Sequence, residues 1–528
     1  MTYVSTDFAI LFFFTLIIYY IFQPCQKIIL LFSSILFYCF AGPKYIIYIF
    51  LSTLTTYFCA YFISDIYKAL DNGSVLSLAE QKQQQERAKR KALWILRLDF
   101  LVVLGILVVL KYFNFFSRTF FDLLGLFRIE RDPVFLNLVM PLGLSYFTFM
   151  NLGYILDVYW KKIPVEKEFT KFALFTMYFP HVVQGPISRY GQLAPQFLER
   201  KRFDYDRLCS GLQLALWGYF KKMVIADRLN IFVSHIYDNP QSYHGVVFLV
   251  ATIFYSIQIY ADFSGCMDIV GGVSETFGIT LEKNFDHPYF SRSIPEFWRR
   301  WHLSLGAFFR EYVFYPVSTS KLFLKLNVKI RDHLGNVIGK VFAASIPILC
   351  VWVLTGLWHG AKWNYIAWGL YHGVLICMST LFEEPLAKLT KALRIKTDCI
   401  SWEIFRMLRT FILCVIGRLI FMGQGIRSSI WMIRSMVFDH SKVYNIVDEF
   451  SLSGREWRVL IFGCLLLLAV SIAQEIMERR GSTGDVREWL AKQNIVFKWL
   501  VMAAGLAFIA ICGVYGSGAG ASFIYEQF

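Results

Sequence analysis

The sequence predicts an all-α fold that crosses a membrane many times, and three observations carry that prediction. Of 528 residues, 56% are hydrophobic and 18% aromatic, and the mean hydropathy of +0.49 lies well outside the soluble range. Apolar runs long enough to cross a bilayer recur along the whole chain. The basic residues gather in short loops between those runs, so the cytoplasmic preference of cationic loops accounts for a formal net charge of +15. That clustering excludes nucleic acid as the reason for the charge.

At about 20 residues per crossing, twelve spans follow in order: 8–22, 28–41, 44–64, 98–116, 134–158, 208–226, 245–263, 341–357, 362–380, 404–422, 458–477 and 497–515. The first has Asp7 as its only early charge, with no basic flank and no small-residue cleavage site, and reads as a retained span. The loop 65–97, with Lys68, Lys82, Arg87, Lys89, Arg90, Lys91 and Arg97, belongs to the cytoplasmic side. Three spans precede it, which places the N-terminus outside. The same parity puts the basic loops 161–207, 317–340, 381–403 and 478–496 inside and the C-terminus outside.

Four features depart from plain spans and loops. Lys221 and Lys222 fall near the outer end of 208–226, against the charge pattern, and predict a tilted or partly inserted segment. The apolar stretch Phe172 to Pro186 has basic loops on both sides and reads as re-entrant or surface-lying. Ala79 to Lys91 reads as a solvated helical hairpin. The 11 cysteines lie scattered on apolar segments without C-x-x-C or C-x-x-H spacing, so they read as small core residues, and no metal site is expected.

Two pairs, Trp301-His302 and Trp358-His359, sit in or beside the apolar runs. An ionisable side chain at such a place is costly and marks a functional site by default, although a buried helix contact is the plainer reading. Around the first pair, Phe297, Trp298, Trp301, Leu305, Phe308, Phe309 and Tyr312 recur at helical spacing, interrupted by Arg299, Arg300 and Arg310. This predicts an amphipathic helix near the inner membrane surface, with Pro295 in its first turn. Its arginines either snorkel to lipid phosphates or, with Arg292, form a receptor for an anionic phosphorylated donor, aided by Trp298 and Trp301. Around the second pair, Gly356, Gly360, Lys362 and Asn364 form a turn too short and too polar for an ordinary loop, so non-helical backbone is expected inside the membrane there. His372 reads as structural.

Phe179-Pro180-His181-Val182-Val183-Gln184-Gly185-Pro186-Ile187, the Trp298 to Tyr315 run, and Leu357-Trp358-His359-Gly360 with Trp368-Gly369 and His372-Gly373 closely resemble the membrane-bound O-acyltransferase family. Within it, the resemblance is greatest to the branch of alginate O-acetylation and teichoic acid D-alanylation proteins. It implies a ring of tilted helices around a thin partition crossed by a narrow tunnel, with the acyl donor entering from the cytoplasm and the acceptor from outside. It makes His359 the main catalytic residue and His302 the second family histidine. Residues 1–400 then form the acyltransferase core with its N-terminal helices, and 401–528 form additional transmembrane helices and a tail.

That tail ends Phe523-Ile524-Tyr525-Glu526-Gln527-Phe528, after a glycine-rich stretch at Gly516 to Gly520. In D-alanylation systems a small partner ends in a similar Phe-x-Tyr-x-x-Phe motif, so the resemblance makes Tyr525 a candidate acyl relay; the alternative is an aromatic interfacial anchor. It also implies a bacterial plasma (inner) membrane enzyme with no tightly bound cofactor. Acetyl-CoA or another acyl thioester is the implied donor, an extracellular polysaccharide the acceptor, and an SGNH-hydrolase-like protein the extracellular or periplasmic partner, with membrane lipid around it. D-alanyl transfer from a carrier-protein thioester and a non-enzymatic transporter are the competing readings.

Overall fold

The computed structural model describes residues 2–71, 77–129, 131–439, 452–481, 485–515 and 523. These are helical with irregular connections, and the only β-type pairing among them is an isolated antiparallel bridge between Phe285 and Trp301. The chain is an all-α, multi-pass membrane protein. Among the described residues, seven helices are long and apolar enough to cross a membrane: Gln23–Phe40, Pro43–Leu70, Leu78–Leu126, Val246–Thr276, Ile338–His359, Gly454–Arg479 and Ile495–Cys512. Each carries one expected span.

The other five expected spans depart from a straight apolar helix, each for a local reason. Thr6–Ile21 and Leu144–Tyr159 have 16 residues each, and Trp363–Leu381 is followed by Glu383–Ala392 at a 57° bend. Ile400–Met422 carries Arg406, Arg409 and Arg418. The fifth, starting at Tyr205–Tyr219, widens into a π-helix over Phe220–Ala226 before continuing as Asp227–Asp238.

The chain divides into two compact units. The first comprises Met1–Leu212 with Val270–Glu282. Its core is aromatic: Tyr3 stacks on Phe37, and Phe8 and Phe179 pack beside them. Polar ties cross between helices, from Asn151 Nδ2 to Ser52 Oγ (2.8 Å) and from Thr56 Oγ1 to Asp99 Oδ1 (2.8 Å). The stretch expected to be re-entrant is a nine-residue helix, Phe169–Met177, followed by non-helical backbone that is wholly buried from Tyr178 to Ser188. Irregular backbone of this kind persists only where protein satisfies it. Here Ser34 Oγ accepts from Phe179 N (3.0 Å), Tyr3 Oη donates to Phe179 O (3.1 Å), and Gly143, at φ +70°, lies so close to Val182 O that a Cβ would come within 2.0 Å.

The Ala79 to Lys91 stretch is not a hairpin. One helix runs from Leu78 to Leu107, opened by a capping box in which Ser77 and Glu80 satisfy each other's backbone N–H groups. Its charged residues prolong the following span into solvent.

The second unit comprises Gln213–Ile269 and Lys283–Phe528, and it explains Lys221 and Lys222. The π-turn points both lysines inward: Lys222 Nζ lies 2.8 Å from Asp227 and 2.7 Å from Asp262, while Lys221 Nζ lies 2.6 Å from Asp268 and 3.0 Å from Ser264 Oγ. The cations are buried because carboxylates neutralise them, so the loop-charge rule does not apply. The buried ring of Phe523 covers Lys222 Nζ at 4.5 Å.

The same unit contains a tight hairpin, Lys321–His359 and Trp363–Leu381. The two helices touch through glycines: a Cβ on Gly356 would lie 2.4 Å from Tyr365 O, and one on Gly369 would lie 2.2 Å from Trp352 O. Small residues permit such backbone approach in membranes. Gly369→Ala is expected to force the helices apart at a cost of about 1–3 kcal/mol, read as a lower unfolding temperature in detergent. Gly105→Ala, where a methyl group meets nothing within 4 Å, is the matched control and should leave it unchanged.

Candidate active site

The site grows from a break in the helix expected over 297–312. Ser293 caps the Ile294–Arg300 helix, accepting from Glu296 N, and Pro295 occupies its first turn. The helix then stops. Trp301 is extended and bridges Phe285, His302 adopts the left-handed conformation (φ +51°, ψ +56°), and a second helix runs from Leu303 to Phe309. One residue makes this break stable: Asn284 is buried, its carbonyl accepts from Leu303 N (3.0 Å), and its Oδ1 accepts from Ser304 N (3.0 Å). Asn284 thus supplies the cap that the left-handed histidine cannot.

Asn284 also fixes the state of His302. Its Oδ1 lies 3.3 Å from Nδ1, so that nitrogen donates and Nε2 carries the ring's lone pair. Burial holds the His302 pKa far below the usual imidazole range, so the ring is neutral at physiological pH. Phe263 and Trp358 meet it edge-on, with ring centroids at 4.7 and 5.4 Å.

His359 is the last residue of its helix, and extended Gly360 follows it. The imidazole is 3% exposed. Trp368 crosses it at 89° with centroids 4.8 Å apart, Phe421 faces it at 5.3 Å, and Trp358 lies at 4.8 Å. Trp358 therefore touches both His302 and His359, which joins the two Trp-His pairs into one aromatic cluster.

His372, read from the sequence as structural, belongs to the same cluster. Its Nδ1 accepts from Trp298 Nε1 (3.3 Å), and Trp352, Trp368 and Tyr371 surround the ring. Asn364, expected in the turn and found in the first turn of the second helix, gives both amide hydrogens to the carbonyls of Phe421 and Gly423 (2.9 and 3.0 Å). Its amide staples the hairpin to the end of the Ile400–Met422 helix.

The arginines divide. Arg292 pairs with Glu403 (3.3 Å), and Arg300 with Glu475 (2.9 Å) and Glu296 (3.1 Å); Arg479 links Glu403 and Glu475. Arg299 is exposed and makes no ion pair among the described residues. Trp298 meets the cluster at His372 and Trp368, and Trp301 is buried against Phe285, Tyr289 and Phe297. Asp286, His287 and Glu478 converge as a metal site would, but Lys283 Nζ lies 2.6 Å from Asp286 and 3.5 Å from Glu478 and supplies the positive charge. Tyr525 lies outside the described residues.

Sequence reasoning missed Asn284, Phe421 and Arg418. The first two carry no signal, since an asparagine beyond a helix and a phenylalanine within one are ordinary. Arg418 does carry one, being an arginine inside an apolar run.

A family model described as MBOAT, membrane-bound O-acyltransferase family, matches residues 161–330. The chain is 31% identical over 398 residues to the probable alginate O-acetylase AlgI of Pseudomonas syringae pv. tomato, covering 75% of this chain and 71% of that protein. The chain belongs to the membrane-bound O-acyltransferase family. It is 28% identical over 373 residues to a peptidoglycan O-acetyltransferase of Helicobacter pylori (66% of this chain, 65% of that protein). It is 30% identical over 257 residues to a teichoic acid D-alanyltransferase of Bacillus subtilis (47% and 61%). As a member of this membrane-bound O-acyltransferase family the protein is an acyltransferase. His302 and the arginines from 292 to 300 lie within the matched stretch, and His359 lies beyond it.

Asn284→Ala leaves two buried donors, Ser304 N–H and His302 Nδ1–H, without their acceptor, at a cost of about 1–3 kcal/mol. A lower unfolding temperature and a loss of acyl transfer are expected together. An unfolding temperature equal to wild type would refute the capping role.

Proposed function

We propose that the protein moves acetyl groups from a cytoplasmic thioester, acetyl-CoA, outward for O-acetylation of an extracellular polysaccharide, in a bacterial plasma membrane with both chain termini outside. The observation that carries this reading is the joining of His302 and His359 through Trp358 in one water-poor aromatic cluster. Two relatives named for O-acetyl transfer support the choice of acyl group.

In this mechanism His359 takes the acceptor hydroxyl proton as the oxygen adds to the thioester carbonyl. The C–S bond then breaks, and the leaving thiolate receives that proton. General base catalysis of this kind is worth roughly 10²- to 10⁴-fold. The neutral, Asn284-oriented His302 keeps a second lone pair in the cluster. Exposed Arg299 is the arginine free to meet an anionic donor, while Arg292 and Arg300 reach one by exchanging carboxylate partners. Trp298 and Trp301 form the aromatic wall behind them. An SGNH-hydrolase-like partner outside the membrane completes delivery to the polymer, and Tyr525 relays the acyl group to it. D-alanyl transfer to teichoic acid is the second reading, favoured by the Bacillus subtilis relative.

Purified protein given radiolabelled acetyl-CoA is expected to become labelled or to release CoA, and His359→Ala to abolish this while accumulating normally in the membrane. Labelling from a D-alanyl carrier thioester and none from acetyl-CoA would select the second reading. Near-native transfer by His359→Ala would remove the assigned base.

Tyr525→Phe keeps the ring and removes the hydroxyl. Polymer acetylation is expected to fall at least tenfold with CoA release less affected; unchanged acetylation would leave only the anchoring role.

A further inference from the structure

Arg418 lies on the Ile400–Met422 helix, outside the stretch matched by the family model and among residues assigned from the sequence to additional membrane helices. It is 3% exposed. Among the described residues it makes no ion pair and no hydrogen bond; its guanidinium lies over the Trp301 ring, 4.7 Å from the centroid. The carboxylates of Glu296, Glu403 and Glu475 are bound to Arg292, Arg300 and Arg479.

The neighbouring positions on this helix fix where that charge sits. Gly417 packs directly against His372, so closely that a Cβ would lie 2.6 Å from Nε2. Phe421, one turn further on, is the ring facing His359, and Trp301 directly precedes His302. One face of the helix therefore walls the histidine cluster and places a guanidinium in that wall. A buried, uncompensated arginine is strongly disfavoured in a membrane protein. Its retention is explained by a transient partner of opposite charge, and a planar guanidinium lying on an indole suits an oxygen anion.

We infer that Arg418 is an oxyanion receptor of the acyl-transfer site, an assignment that rests on the acyltransferase reading above. As the acceptor oxygen bonds to the acyl carbon, the carbonyl π electrons move onto its oxygen and the hydroxyl proton passes to imidazole. Arg418 donates N–H to that oxygen until the carbonyl re-forms, the C–S bond breaks and the thiolate leaves with the proton.

The test compares wild type with Arg418→Gln, Arg418→Lys and Arg418→Met for acetyl-CoA turnover and for unfolding temperature in detergent. Arg418→Gln is expected to lose about 10²- to 10³-fold in kcat with little change in KM for acetyl-CoA, and Arg418→Lys to recover part of the loss. Arg418→Met is expected to unfold at the wild-type temperature or above, because removing an unpaired buried charge does not weaken the fold. Turnover by Arg418→Gln within threefold of wild type overturns the assignment. So does a loss confined to KM, which would mark a ground-state donor contact, or an Arg418→Met protein that unfolds several degrees lower, which would mark a structural ion pair. A wild-type protein that turns over no thioester sinks the acyltransferase reading itself, whereas an active wild type beside an active Arg418→Gln sinks only the role of Arg418.

Discussion

The candidate site depends on a single amide, that of Asn284. A left-handed residue costs about 1–3 kcal/mol, and a helix started without a cap leaves orphan N–H groups that a lipid-embedded protein cannot surrender to water. Asn284 answers both demands, accepting from the Ser304 backbone and from His302. The break it stabilises turns Trp301 onto Phe285 and His302 toward Trp358, in the cluster that holds His359 and His372. A continuous helix over 297–312 would have pointed these two side chains in directions about 100° apart around its axis.

Buried cations inside the second unit follow one rule, a partner at close range: Lys221 and Lys222 meet carboxylates, and Arg228 donates to the carbonyls of Val224 and Cys512. The ion pairs at the Arg292 end obey it too, with Glu403 and Glu475 each shared between two arginines. Arg418 stands apart from this rule, against the aromatic wall. Aromatic rings do most of the enclosing here, since they exclude water while tolerating both imidazole edges and a guanidinium face.

Much of the architecture was legible from the sequence because hydropathy and helical period are local. The spans at 28–41, 44–64, 98–116, 245–263, 341–357, 458–477 and 497–515 sit on apolar helices of membrane length. The short turn after His359 is legible in Gly360 and Lys362, whereas Gly356 and Asn364, expected in the turn, lie in the helices on either side of it. The break at His302 was not legible, because apolar spacing continues on both sides of it and the residue that caps the second half is 18 positions away. For the same reason Lys221 and Lys222 looked misplaced: their carboxylates at 227, 262 and 268 come together only after folding. The solvated start of the helix from Leu78 reads as a hairpin in the sequence because charge runs report exposure and say nothing about chain direction.

Phe421, Gly417 and Arg418 belong to a helix that begins at Ile400, well downstream of the histidines it encloses. During synthesis His359 and His372 must therefore wait for more than forty further residues before Phe421 and Gly417 can enclose them. Until that helix docks, His359 and His372 lack the wall that Phe421 and Gly417 provide, so the Ile400–Met422 helix is the closing panel of the cluster.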